Sequence, residues 1–227
     1  MNTILKIKSF GTFVFALCWC TFISAQSGKV QVEVRAGHNT VFGGYVAPTI
    51  EAEYSLEEYF AISGGLQYNT IGRTAVEARP SYFHDLKWGR ISAEALLHYT
   101  YLSSLNNFAA GAGFGLKTRW IDVKAGYYCR MYGREGNKIT EPLNLYYLGT
   151  LHCLPMIPKW DLDLTISNCE TFELERHYQP SVIIQGWYYP KESLGITLGI
   201  NYTPTGMFHL SSDYYQFYTK IGVCYRW

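Results

Sequence analysis

The stretch from Ile121 to Met131 reads IDVKAGYYCRM. Ile121, Val123, Ala125, Tyr127, Cys129 and Met131 take every second place, and Asp122, Lys124, Tyr128 and Arg130 stand between them. Successive side chains of a β-strand point to opposite faces, so this is a strand with one apolar and one polar side. Its length matters as much as its period. Strands of globular proteins mostly run to about 5–6 residues, whereas a strand crossing a bilayer at a tilt needs about 9–11. Eleven alternating residues belong to the second class.

The same alternation fills the chain on both sides of this stretch. Toward the N-terminus, Val30, Val32, Val34 and Ala36 alternate with Gln31, Glu33 and Arg35. Ile50, Ala52 and Tyr54 alternate with Thr49, Glu51 and Glu53, and Val76 and Ala78 with Glu77 and Arg79. Ile91, Ala93, Ala95, Leu97 and Tyr99 alternate with Ser92, Glu94 and His98. Toward the C-terminus, Trp160, Leu162 and Leu164 oppose Asp161 and Asp163. A single segment from Phe172 to Tyr188 follows, with Glu173 and Glu175 on its polar side. Turn signals such as Gly43-Gly44 and Glu57-Glu58 separate the segments. The pattern predicts about twelve strands, within a range of 10 to 14, joined as antiparallel hairpins.

Two architectures bury one face of such strands. A soluble sandwich turns the apolar face inward, and a membrane barrel turns it outward. The strand lengths favour the barrel. So does the polar face, which carries Gly111, Gly113 and Gly115 in sequence where a soluble surface would carry Lys, Glu and Thr. Tyr99, Tyr101, Trp160, Tyr188, Tyr202, Tyr225 and Trp227 gather near segment ends, as interfacial girdles require. An open sheet edge cannot face lipid, so the strands must close on themselves. The expectation is an all-β transmembrane antiparallel up-and-down barrel spanning residues 26–227 as one domain.

Composition agrees. Of 227 residues, 16% are charged, 17% aromatic and 48% hydrophobic, yet the mean hydropathy is −0.06. Disordered chains are poor in aromatics and rich in charge. A net charge of +1 argues against nucleic acid as a partner. Residues 1–25 read as a cleaved secretory signal for export across the inner membrane. Lys6 and Lys8 precede a short apolar run to Phe22, and Ser24 and Ala25 suit cleavage before Gln26. Cys129, Cys153, Cys169 and Cys224 remain. Three of them are expected on the apolar side, as small apolar residues rather than disulfide partners, although an exported chain permits disulfides.

The chain ends with Phe217, Ile221, Val223, Tyr225 and Trp227 in phase. This resembles the last strand of the bacterial outer-membrane β-barrel proteins, whose terminal aromatic is read by the barrel-assembly machinery. The resemblance also covers the signal and the alternating strands. It implies the outer membrane of a Gram-negative bacterium, with outer-membrane lipids and the assembly machinery as partners and Tyr225 and Trp227 as the assembly signal. Oligomeric state stays open.

With the N-terminus in the periplasm, the outer loops include Gly133–Ile139 and Pro204–Asp213 as the two longest, and neither is long enough to form a sizeable plug. The inward face is expected to hold Glu33, Arg35, Glu51, Glu53, Glu77, Arg79, Glu94, Lys117, Arg119, Asp122, Lys124, Arg130, Asp161, Asp163, Glu173 and Glu175, with Lys220 and Arg226. Acids and bases nearly balance, so the expected arrangement is ion pairing across a narrow interior. That fits a structural barrel or a narrow pore for small solutes or ions. A second reading is a lipid-acting hydrolase. His209-Leu210-Ser211-Ser212-Asp213 resembles the His-x-Ser of outer-membrane phospholipases and lipid A deacylases, because a serine nucleophile needs a base beside it. The Asn that follows in those enzymes is absent here. A third reading is an interaction subunit of a larger envelope complex. His98, His152 and His177 fall on separate segments, so no metal site is expected, nor any cofactor.

Overall fold

The computed structural model describes residues 27–40, 43–102, 105–134, 137–170, 173–174, 180–204 and 216–227. They form β1 (Ser27–Asn39), β2 (Gly43–Glu57), β3 (Phe60–Tyr68), β4 (Thr74–Leu86), β5 (Gly89–Leu102), β6 (Leu105–Lys117), β7 (Ile121–Arg134), β8 (Asn137–His152), β9 (Trp160–Ser167), β10 (Cys169–Glu170), β11 (Glu173–Leu174), β12 (Ser181–Lys191), β13 (Leu194–Thr203) and β14 (Gln216–Arg226). Twelve of these close into a barrel in the order β1-β14-β13-β12-β9-β8-β7-β6-β5-β4-β3-β2. Every neighbouring pair is antiparallel, and each strand pairs with the next barrel strand in the chain. The twelve-strand closed barrel read from the alternation is the fold of the chain.

Closure is made by the two ends. Val34 faces Ile221 and Lys29 faces Arg226 across the β1–β14 seam. Beyond it, the backbones of Gly28 and Trp227 bond reciprocally at 3.3 and 3.1 Å. The Trp227 ring lies over Gly28, where any side chain would strike it, and packs near Tyr54 and Tyr225. Turns are short. At the tip between β3 and β4, Gly72 adopts φ +81°, a conformation glycine takes without steric cost. The Asn69 side chain and carbonyl hold this turn through Arg73 N and Gly72 N.

The face that points outward is the apolar one. Phe114 is 76% exposed and Leu198 64%, and the same side of the wall carries Val32, Ile50, Leu66, Val123, Ile196 and Ile221. Glu33 and Arg35 inside are each 1% exposed. Apolar out and charged in is the reverse of a water-soluble sandwich. It suits a surface surrounded by lipid, since contiguous apolar patches of this extent do not stay in water.

Three expectations are corrected. The segment from Phe172 to Tyr188 is not one strand. Cys169–Glu170 and Glu173–Leu174 pair as a small separate sheet, and the wall resumes only at Ser181, after Pro180, which lacks an amide hydrogen for a ladder. Gly133–Ile139 is not a long loop, because β7 runs to Arg134 and β8 starts at Asn137. The cysteines divide two and two: Cys129 and Cys153 are exposed, Cys169 and Cys224 buried, and all four are free thiols. The rings divide between the two faces: Trp160, Tyr188, Tyr202, Tyr225 and Trp227 of the expected girdle are exposed, whereas Tyr45, Tyr128, Tyr146, Tyr189 and Tyr218 are buried.

Candidate functional site

The lumen has two differently built walls. The first comprises β1, β2 and β12–β14. Period two places Gln31, Glu33 and Arg35 on the inner side of β1, beside Glu51 of β2 and Lys220 of β14. Arg35 Nη2 lies 2.7 Å from Glu51 Oε1 and 3.6 Å from Glu33 Oε2, and its guanidinium sits over the Tyr218 ring. Lys220 Nζ is 4.0 Å from Glu33. The neutral groups complete this network. Gln31 and Gln185 both donate to Glu33 Oε1, Trp187 Nε1 donates to Gln31, and Asn201 donates to the Tyr218 hydroxyl. Buried charges persist only when paired and hydrogen-bonded, and each charge here has such neighbours on the same or adjoining strands.

The second wall is β4–β8. Arg79 Nε pairs with Glu77 at 2.6 Å, and His98 spans Glu77 and Thr100. Lys124 Nζ lies 3.0 Å from Glu94, which also accepts the Tyr146 hydroxyl. Glycine makes room for these rings. Gly113 and Gly126 are direct cross-strand partners, and a Cβ on either would strike Tyr146. Leu96, Ala109, Tyr128 and Tyr146 pack together with Cys169, a residue that belongs to no wall strand.

Between the walls lies a cavity of about 240 Å³. It extends from Lys29 and Glu53, near the end of the barrel where β1 begins and β14 finishes, to Glu77, Arg79 and Lys124. Gln31, Glu51, Ser63 and Leu148 complete much of its lining.

The other expected charges are placed as follows. Asp163 bonds His152 at 2.8 Å on the inner side. Arg130 lies over Tyr128 and donates to its hydroxyl. Asp122 is half-buried, opposite Lys117 in the register, and Lys117 and Asp161 are exposed at the barrel end. Arg226 is exposed too, bonded to the Glu192 carbonyl. Arg119 is a correction: it sits in the turn after β6, exposed beside Trp120. Glu173 is another, lying on the small sheet and not in the wall. Glu175, His177, His209, Ser211 and Asp213 lie outside the described residues. Among the described residues no group of histidine, cysteine and acidic side chains could hold a metal ion.

No protein-family model and no curated protein sequence matches this chain. Solved structures do. The translocator domain of autotransporter NalP from Neisseria meningitidis aligns over 100% of this chain and 98% of its own, with TM-score 0.56 and 13% identity. The KdgM porin aligns over 86% and 98%, with TM-score 0.54 and 13% identity. The NanC porin covers the same shares with TM-score 0.55 and 11% identity. The chain has the outer-membrane β-barrel fold. Identity this low carries fold and not function.

Within this fold, period two sets Tyr128, Tyr146 and Tyr218 on the inward face, and sequence reasoning omitted Trp187 and the part these rings play among the charges. Trp187 alternates in phase with Gln185, and that phase is a usable signal. The pairing of Gly113 with Gly126 beneath Tyr146 was a second one, visible only once register is known.

Proposed function

We propose that the protein is an integral barrel of the outer membrane of a Gram-negative bacterium and a narrow pore for small polar solutes or ions. The carrying observation is the charged cavity of about 240 Å³ inside a closed barrel whose outer face is apolar. A structural plug would fill that volume with side chains. A twelve-strand wall encloses more space than the eight-strand wall that side chains just fill. That solved porins share the fold supports this reading, and one of those structures is of the KdgM porin in complex with disordered oligogalacturonate. On this reading residues 1–25 are removed on export, the outer face meets outer-membrane lipids, and Tyr225 and Trp227 form the signal for the barrel-assembly machinery.

Purified protein inserted in planar bilayers tests it. Small, discrete conductance steps are expected. Current that never rises above leak, from protein shown to be folded by heat-modifiable gel migration, would overturn the pore.

A further inference from the structure

The chain leaves the wall where β9 ends. Ser167 still pairs with Leu148 of β8 and Ser181 of β12, but the next two residues turn inside. Asn168 and Cys169 are each 1% exposed. Asn168 is fixed on the edge of β8 just beyond the point where β9 stops pairing: Tyr147 N donates to its Oδ1 at 2.8 Å, and its Nδ2 donates to the Leu145 carbonyl at 2.9 Å. The Ser167 hydroxyl donates to the Tyr147 carbonyl and accepts from Cys169 N. These bonds answer backbone groups of β8 that β9 does not reach, and they swing the chain into the lumen.

Cys169 then lands on the inner side of β5–β8, against Leu96, Ala109, Tyr128 and Tyr146. Arg79 reaches it from β4, with Nη2 3.3 Å from the Cys169 carbonyl and 3.1 Å from its sulfur. In the closed order β7 stands six places from β1, so the thickened wall faces β1 and β2 across the lumen. The remaining space has Glu77, Arg79 and Lys124 on one side and Lys29, Gln31, Glu51 and Glu53 on the other.

We infer that Asn168 and Cys169 build the constriction of the pore, and that Arg79, held against Cys169, sets the charge preference there. The inference rests on the pore reading. Constrictions and charged side chains at the narrowest point fix what a channel passes. Asn168 acts by position and touches no solute, whereas Arg79 lines the passage.

Single-channel recording with the full chain tests width and charge separately. Asn168→Ala releases the anchor and Cys169→Gly trims the insert, and each is expected to raise conductance about twofold or more. Arg79→Gln removes a cation and leaves Glu77, Glu51 and Glu53, so the reversal potential in a salt gradient is expected to move toward cations. Wild-type conductance in both widening variants, each confirmed folded, would overturn the constriction while the pore stands. If one of them does not fold, the other decides. If no form conducts, the pore reading falls, and thiol labelling judges the constriction alone. A small water-soluble maleimide, followed by peptide mass analysis, is expected to spare Cys169 in the wild type and modify it in Asn168→Ala. Equal protection in both would overturn the proposal.

Discussion

The two inner walls solve one problem in different ways. Each must hold charge inside a closed sheet. The first wall, β1, β2 and β12–β14, does so with side chains of its own strands: Arg35 lies between Glu33 and Glu51, and Gln185 and Trp187 close the gaps. The second, β4–β8, borrows from outside. Its ion pairs Arg79–Glu77 and Lys124–Glu94 are accompanied by rings seated on glycine and by Cys169 from the inward turn. The first is a charge network whose members depend on each other. The second is a packed layer whose members depend on shape. Removing charge should hurt the first more, and adding volume should hurt the second more.

The largest expected effect follows from Arg35→Ala. Glu33 and Glu51 would keep their charges without the guanidinium between them, and the Glu33 side chain is 0% exposed. Breaking a buried pair by removing one partner costs about 3–5 kcal/mol. Urea unfolding of the barrel in lipid vesicles, followed by tryptophan emission, should show a loss of that size. A loss no greater than an exposed pair would give means that the network does not hold the first wall.

Gly126→Val attacks the second wall. Its new carbons meet the Tyr146 ring and the facing backbone of Ala112 and Gly113. Overpacking of this kind costs about 1–3 kcal/mol. Gly149→Val on β8 is the matched control, because a Cβ there meets nothing within 4 Å and no loss is expected. Equal losses in the two would show that strand propensity and not the seat of Tyr146 is being measured. Arg35 on β1 and Tyr146 on β8 stand five strands apart in the closed order, so the double variant Arg35→Ala, Gly126→Val should be additive to within about 0.5 kcal/mol. A larger discrepancy would mean that the walls are coupled across the cavity.

This contrast also separates what was legible in the sequence from what was not. The first wall depends on period two and on neighbours close in the hairpin order. The alternation from Val30 to Ala36 therefore puts Glu33 and Arg35 inside, where they lie. The second wall depends on facts that alternation does not carry. Tyr128 and Tyr146 are in phase with inward residues, so alternation puts them inside, but it does not show that each ring needs a glycine seat on a neighbouring strand. Asn168 turns inward because its amide answers backbone groups of Leu145 and Tyr147, more than twenty residues earlier. Nothing local signals that. The alternation also ran on through Phe172 and Leu174 into β12. Period two reports an extended chain and does not say which sheet the chain joins. The candidate hydrolase motif at His209 lies outside the described residues.

The smallest expected effect calibrates the comparison. Arg90 and Asp85 form a two-pronged pair at 2.6 and 3.0 Å, with Arg90 also over the Phe83 ring. By distance alone this pair matches Arg35–Glu51. It differs in setting, for the side chains are 43% and 61% exposed. Water already solvates both charges there, so removing one strands nothing. Arg90→Ala should leave the unfolding midpoint within the scatter of repeated wild-type measurements, and moderate salt should not change that result. If it instead costs as much as Arg35→Ala, contact geometry would decide stability and burial would not. The first wall would then be a set of independent pairs, and its difference from the second would lose its physical basis.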